Sequence, residues 1–583
     1  MKPSPNRLRR LVRRARAHAS DLGDPGELLH ARLEAQALRR DYPGLAADLS
    51  SRSRPGGRRY LVVSLNDRPR QVRLEALLAK SLQLRGAQVD VLAFRSMRGA
   101  VRAWRALGFR RLVFYEDFAG GGAPPEDVAQ VMATCRTVQD FKAYEYRGAR
   151  VGRQALATVV RARYEPRVDL DDPEVRDAIA RTLEYGIEGV HTGERLLEEL
   201  RPDALLMIER GYAGLGSFFD VALQRGIDVI QFGSAHRDDA FLMKRYDLEN
   251  RDLHPRSLDE RTWARLLEGG WTEERERALE AELAGREEGK WFMARHARHS
   301  ARRRGTERLR RDLGLDGRKV AVLFSHVLWD AAMFYGRDVY VDQGRWFEET
   351  LRLAAGDDRV QWLVKLHPAL FWKLEQEGVR AEPAEFAMIR EAVGELPPHV
   401  RLIRPDDDVD NVDLFRIVDA GVTIRGTVGL ELPRLGVPVL TAGTSDYAGR
   451  GFTVDAAGAD EYERNVRGIA DLERLDDEQV RLAKLYAYGV FCVRPWRFSS
   501  FTLDYLPPEE AGESLDHQLR FHVRTVEDLE RADDLRAFAE WVDGSNERDF
   551  VDERALAAAE PARPSGGPAR APRARRGRSR RRG

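Results

Sequence analysis

The sequence predicts an α/β protein in which two doubly wound domains face each other across a cleft, and three observations lead there. With 583 residues the chain is too long for one core and long enough for two or three domains. Apolar residues make up 43% and charged residues 33%, the balance of a globular chain rather than a disordered one. Twice along the chain, apolar runs of strand length alternate with stretches of helical spacing, and a strongly charged helical stretch separates the two series.

Residues 1–57 read as a basic helical arm that ends in a Ser/Arg/Pro/Gly breaker. The run 60–65 has strand length, Leu74, Leu77, Leu78 and Leu82 follow at helical spacing, Gly86 ends that helix, and 89–92 is the next strand. Strand, helix and strand make a βαβ unit, which implies a parallel sheet. Strands over 111–115, 204–208 and 228–232, with a helix over 214–224, complete a first domain at 58–245. Residues 246–315 read as a helical connection with no apolar core of its own. Strands over 319–324, 360–365, 400–403, 421–424 and 437–441, with helices over 346–354 and 427–435, build a second domain at 316–490. Residues 491–555 read as helices with aromatic clusters (Trp496, Phe498, Phe501, Tyr505), and 556–583 as a disordered Arg-rich tail. Both domains are thus Rossmann-like, and such sheets bind ligands beyond the C-terminal ends of their strands.

Lys and Arg number 96 and Asp and Glu 95, but they are unevenly placed. Residues 1–20 hold seven basic side chains and residues 561–583 hold nine Arg, with no acid in either segment. Without those sixteen, 80 basic side chains face 95 acidic ones. An acidic body argues against a specific nucleic-acid partner and puts any polyanion contact in the ends, which read either as a hold on anionic membrane or as a solubilising, nucleic-acid-sticky tail. Cys135 and Cys492 stand alone, which excludes a disulfide framework or a zinc knuckle. No apolar run reaches 18 residues, and the N-terminus lacks an apolar leader core. The expected location is cytoplasmic, peripheral at the inner face of the membrane.

The most informative stretch runs from Asp419 through Arg425-Gly426-Thr427-Val428-Gly429-Leu430-Glu431. A strand ends at Ile424, and Gly426-Thr427 turns directly into a helix whose free N–H groups suit a phosphate. The Thr427 hydroxyl adds a donor, and Glu431, one turn later, is placed to accept from ribose hydroxyls. The alternative is a simple N-cap at Thr427 with Glu431 as a capping residue. Lys365-Leu366-His367-Pro368 closes another strand, and alternation aims Lys365 and His367 the same way, a cationic pair suited to phosphate. In the first domain, Glu209-Arg210-Gly211-Tyr212 and Gly233-Ser234-Ala235-His236-Arg237 follow strands and carry the groups an acceptor site needs. Glu209 is the expected base and Arg210, His236 and Arg237 acceptor-binding residues, with Asp67 after the first strand a weaker second base. Asp406-Asp407-Asp408 reads as a solvated loop, so no metal site is expected, and no cofactor.

These elements carry a family resemblance. "KLHP" at 365–368 and "GTVGLELPRLGVPVLTAGTSDYAGRGFT" at 426–453 resemble the C-terminal half of bacterial capsule polysaccharide biosynthesis glycosyltransferases, which include the Kdo-transferring enzymes and share elements with bacterial polysialyltransferases. The resemblance implies the two-domain GT-B architecture, metal-independent transfer and a nucleotide-sugar donor, often CMP-linked. It gives His367 and Thr427 the donor phosphate, with Gly426 where a Ser is usual and Val428 beside it. Ser325-His326-Val327-Leu328-Trp329-Asp330 resembles the family's first C-domain loop, which puts Ser325 and His326 at the donor and Asp330 at the cleft as a third candidate base. Tyr447 falls on the acceptor side.

The expected activity is transfer of a sugar from a nucleotide-sugar to a glycan or glycolipid acceptor. Three readings compete with it. One is a CDP-polyol phosphotransferase of the teichoic-acid type, one a nucleotide-sugar 2-epimerase, and one a non-catalytic nucleotide-sugar-binding scaffold.

Overall fold

The computed structural model describes residues 25–120, 122–237, 239–287, 291, 304–504 and 518–557. The basic run before residue 25, the tail from 558 and Tyr505 lie outside the described residues.

The first sheet is built from β1 (Arg59–Val63), β2 (Gln88–Ala93), β3 (Leu112–Phe114), β4 (Ala204–Met207), β5 (Asp228–Ser234) and β6 (Ala240–Tyr246). They stand in the order β3-β2-β1-β4-β5-β6, parallel except for β6, which runs against β5. Alternation along the strands feeds two cores. Leu61, Val63, Leu205, Met207 and Val229 face helices Val151–Arg163, Pro173–Leu200 and Leu215–Gln224. Tyr60, Val62, Ala204, Leu206 and Ile230 face helices Pro69–Leu84 and Arg98–Ala106.

The second sheet holds β7 (Val320–Phe324), β8 (Gln361–Lys365), β9 (Val400–Ile403), β10 (Ala420–Thr423), β11 (Val439–Thr441) and β12 (Val454–Asp455). It is parallel throughout, in the order β9-β8-β7-β10-β11-β12. In each sheet the order reverses at one place, between β1 and β4 and between β7 and β10, and such reversals open the crevices in which doubly wound sheets bind ligands. The predicted α/β class with two Rossmann-like sheets is the observed one.

Three expectations need correction. The connection at 246–315 is not without a core. Trp263, Leu266, Leu279 and Leu283 from helices Glu260–Gly269 and Glu273–Glu287 pack with Tyr486, Val490, Phe491 and Val493. Those partners lie some two hundred residues away, beyond any local window. Residues 491–555 are not simply C-terminal helices either. They return to the first domain: β13 (Trp496–Arg497) pairs with β6, β14 (Phe501–Asp504) and β15 (Gln518–Phe521) form a hairpin, and helix Asp533–Gly544 packs Leu535, Phe538 and Val542 into the core under Pro69–Leu84. Finally, the helix expected over 427–435 is one turn, Val428–Glu431, followed by a 3-10 turn at Pro433–Leu435. Pro433 removes the N–H that a longer helix requires there.

The segment after β7 crosses the cleft. Val327, Trp329, Ala332, Met333, Phe334 and Tyr335 join the apolar core of the first domain rather than that of their own. Ala331 and Met333 hold left-handed backbone (φ 51° and 67°), which costs a residue with a side chain and persists only where packing compensates.

Candidate functional site

At the crevice of the second sheet, the ends of β7 and β8 are locked together by hydrogen bonds. Ser325, just past β7, donates its N–H to Lys365 O (3.0 Å), and its Oγ accepts the His367 N–H (3.1 Å). His367 Nδ1 accepts the Ala369 N–H (3.2 Å), so in the neutral ring the proton sits on Nε2. Burial first, then His326, Lys373, Arg286 and Lys365, pushes the His367 pKa down to about 3, so the ring is a neutral donor at physiological pH. Lys365 is 7% exposed and makes no ion pair among the described residues. Burial, then the charge of Arg286, lowers its pKa to about 8.

On the other side of the crevice stands the Gly426-Thr427 turn. Thr423 Oγ1 accepts the Gly426 N–H (3.3 Å), and Tyr447 Oη donates to Gly426 O (2.8 Å). Tyr447 is fully buried beneath Gly429, where an added Cβ would stand 1.9 Å from the Tyr447 hydroxyl. This corrects the acceptor-side expectation, since Tyr447 shapes the turn from below. Thr427 Oγ1 donates to Glu431 Oε1 (2.7 Å), while Glu431 Oε2 accepts from Arg286 Nη1. Both Glu431 oxygens are thus engaged within the protein, and its expected place toward ribose hydroxyls needs correction. A single turn at Val428 carries little macrodipole, so any help to an anion comes from local N–H groups. Two buried nitrogen atoms at these strand ends, His326 Nε2 and Arg425 Nη1, have no hydrogen-bond partner among the described residues. Burial and the Arg425 charge lower the His326 pKa to about 4.

In the first domain Glu209 follows β4 at its crevice. Its Oε1 accepts the N–H groups of Arg210 (2.7 Å) and Gly211 (3.2 Å). Burial raises its pKa against those bonds, and Asp330 reaching over from the second domain raises it further. Asp330 is the opposite case. Burial alone would raise it, but Lys373 and Arg161 outweigh burial and hold it low. Two carboxylates of one cleft are therefore driven apart in acidity. Asp67 is exposed, one residue ahead of the N-cap Arg68 of helix Pro69–Leu84.

The other acceptor expectations do not survive. Arg210 is 2% exposed and donates to Gln231 Oε1 (3.0 Å), Arg251 O and Leu253 O, with Tyr246 under its guanidinium at 4.3 Å. His236 pairs with Glu282 (3.0 Å), and Arg237 divides its nitrogens between Glu282 and Asp239. Both side chains are thus engaged within the protein. In the acidic run after β9, Asp406 and Asp407 accept from Arg404, and Asp408 from Arg304. No group of three metal-ligating side chains occurs among the described residues.

Arg161, Arg286, Lys373 and Arg425 were not legible as site residues. Arg425 stands immediately before the Gly426-Thr427 turn, a position that signals it in hindsight. Arg286 is one of many charges in a uniform run, and nothing local distinguishes it. A cavity of about 520 Å³, lined by Phe371, Phe386, Arg380 and Arg404, opens at the ends of β8 and β9 beside this site.

No protein-family model matches the chain, and no curated protein matches it. Among solved structures it is similar to the KpsC β-Kdo 2,4-transferase of Thermosulfurimonas dismutans, at 15% identity and a TM-score of 0.29, over 56% of this chain and 87% of that one. The β-Kdo 2,7-transferase of the same KpsC gives 14% and 0.30, over 58% and 88%. The UDP-GlcNAc 2-epimerase of Neisseria meningitidis gives 13% and 0.24, over 74% and 98%. Capsule-type Kdo transferases, which the 365–368 and 426–453 elements resemble, are thus among the structures this chain is similar to. At such TM-scores the likenesses carry no argument, and the fold stands on its own strand order.

Proposed function

We propose that the chain is a glycosyltransferase that moves a sugar from a nucleotide-sugar to a glycan or glycolipid acceptor in polysaccharide biosynthesis. One observation carries this: Lys365, nine-tenths buried and without an ion-pair partner among the described residues, at a strand end beside the neutral donor His367. A buried ammonium with no carboxylate on it is costly unless an anion completes it. A nucleotide-sugar phosphate at the ends of β7, β8 and β10 supplies that anion. Lys365 and His367 stabilise the charge that develops on the leaving nucleotide, and Glu209, whose raised pKa favours proton uptake, takes the acceptor hydroxyl proton.

The test is a titration of the protein against CMP-, CDP-, UDP- and GDP-linked sugars, followed by an assay for free nucleotide. Transfer releases nucleotide only when acceptor is present. Release without acceptor, or an altered sugar still joined to its nucleotide, refutes it.

The basic ends place the enzyme at anionic lipid in this reading, each basic side chain near such a surface adding about 1 kcal/mol. Deleting residues 561–583 should abolish flotation with anionic liposomes. Equal flotation of the truncated protein removes the tail as an anchor.

A further inference from the structure

Helix Glu273–Glu287 carries two residues one turn apart on one face that reach different halves of the molecule. Glu282, 6% exposed, pairs with His236 Nε2 (3.0 Å) and accepts from Arg237 Nη1 (3.2 Å) and Arg497 Nη2 (2.9 Å). His236 and Arg237 lie in the loop between β5 and β6 and Arg497 ends β13, so all three belong to the first domain. Trp291 braces the contact, its ring 4.5 Å from that of His236 and its Nε1 donating to Glu282 O (3.2 Å). Arg286 faces the second domain, with Nη1 on Glu431 Oε2. Its other guanidinium nitrogens have no hydrogen-bond partner among the described residues, and its side chain is 25% exposed. It stands close enough for its charge to be felt at both Lys365 and His367.

We infer that Arg286 is a donor-binding residue, its guanidinium donating to the same phosphate that Lys365 and His367 face, and that Glu282 is the positioning residue that sets its place. The inference rests on the nucleotide-sugar reading above. Glu431 occupies one edge of the guanidinium, and the remaining donors form a fork of the kind that matches two phosphate oxygens. Asp407 and Asp410 act on Lys365 only from a distance and form no ion pair with it, and Glu431 takes one edge of Arg286, so both cations keep donors for an entering anion. Because Glu282 is held by His236, Arg237 and Arg497, the loop after β5 acts on the donor phosphate through the helix rather than by touching an acceptor.

Calorimetric titration of the full-length protein with CMP, CDP, UDP and GDP tests this. For a nucleotide that binds the wild type, Arg286→Ala should weaken affinity about tenfold or more, and Arg286→Lys should recover part of the loss because it keeps the charge but not the fork. Glu282→Gln should weaken binding by about three- to tenfold, and the double variant Glu282→Gln with Arg286→Ala should be no weaker than Arg286→Ala alone. A merely structural Glu282 adds its effect to that of Arg286, and additive losses overturn its positioning role. Wild-type affinity in a folded Arg286→Ala protein overturns the inference while leaving the nucleotide-sugar reading intact. Failure of the wild type to bind any of the four overturns both.

Discussion

The ring of Phe334 lies where a side chain at Gly211 would stand: a Cβ on Gly211 would come within 2.2–2.4 Å of three ring atoms. Phe334 belongs to the second domain and Gly211 to the loop that carries Glu209, so an absent side chain in one domain seats an aromatic one from the other. Tyr212 packs edge-on against the same ring at 4.5 Å, and Trp329 against Tyr164 at 5.0 Å. The segment 329–336 is therefore seated on the loop that carries Glu209.

Gly211→Ala should dislodge this segment rather than unfold the domain, because the obstacle is a side chain on strained backbone and not a strand. Overpacking of this kind costs about 1–3 kcal/mol, which makes opening about five- to 150-fold more frequent. Chymotrypsin should then cut at Phe334 and Tyr335 much faster than in the wild type, while the melting transition of the two sheets changes little. Phe334→Ala, which empties the seat, should expose the segment in the same way when trypsin cleavage after Arg337 is followed. Unchanged cleavage in both variants would show that the segment is held by something other than this seat.

The pKa values at the donor crevice predict how anion binding depends on pH. With Lys365 at about 8, its ammonium is charged below that pH and lost above it, so nucleotide affinity should fall above pH 8 with a slope approaching one decade per unit. A bound phosphate raises the Lys365 pKa, which is the same linkage seen from the other side. Lys365→Met should flatten that limb and lower affinity throughout. His367, at about 3, stays neutral across the accessible range, so no limb belongs to it near 6.5. Folding stability moves the opposite way: the unfolded Lys365 holds its proton up to its ordinary 10.5, so stability rises with pH between about 8 and 10.5. A binding profile flat from pH 7 to 9.5 would remove Lys365 from the anion site.

The sequence displayed what local pattern can encode. The strand runs at 60–65, 204–208, 319–324 and 360–365 are largely apolar on both faces, as strands covered by helices on both sides must be, and the turns that follow them carry Glu209, Ser325 and His367. What it hid were partnerships across long separations. Arg210, His236 and Arg237 have the composition of a ligand site, yet Gln231, Glu282 and Asp239 consume them, and only the folded chain reveals those partners. β13 joins β6 from two hundred and fifty residues away, so residues 491–555 could not be assigned to the first sheet from their own aromatic pattern. Glu431 was read correctly as sharing a face with Thr427, but the arginine that occupies its second oxygen comes from the charged connection.

Tyr447 makes the shape of the donor turn testable without touching a ligand. Its hydroxyl holds Gly426 O (2.8 Å), and its ring fills the space under Gly429. Tyr447→Phe should cost about 1 kcal/mol of stability for the lost buried bond and reduce nucleotide affinity by loosening Gly426-Thr427. Gly429→Ala should cost more, about 1–3 kcal/mol, because the buried ring cannot give way. Differential scanning calorimetry reads both. A Tyr447→Phe protein with unchanged nucleotide affinity would separate the turn from the donor site.

Glu209 gives the prediction with the most at stake. Transfer with inversion needs a carboxylate on the face of the sugar opposite the leaving nucleotide. With the phosphate proposed at the second sheet, that carboxylate is expected from the first. Glu209 follows β4 beside the β1–β4 crevice, and burial keeps its pKa above the ordinary value, which suits a base. Asp330 is held low by Lys373 and Arg161, which makes it a weaker base whatever its position. Glu209→Gln should therefore keep donor affinity and lower acceptor-dependent nucleotide release by about 10²–10⁴-fold. The wild-type rate should fall on the acid side with a midpoint above that of an ordinary glutamate. Turnover within a few-fold of wild type would pass the role to Asp67 and then Asp330, tested in that order as Asn variants. Loss of donor binding in Glu209→Gln would mean that Glu209 faces the nucleotide and that the two sides of the cleft have been assigned the wrong way round.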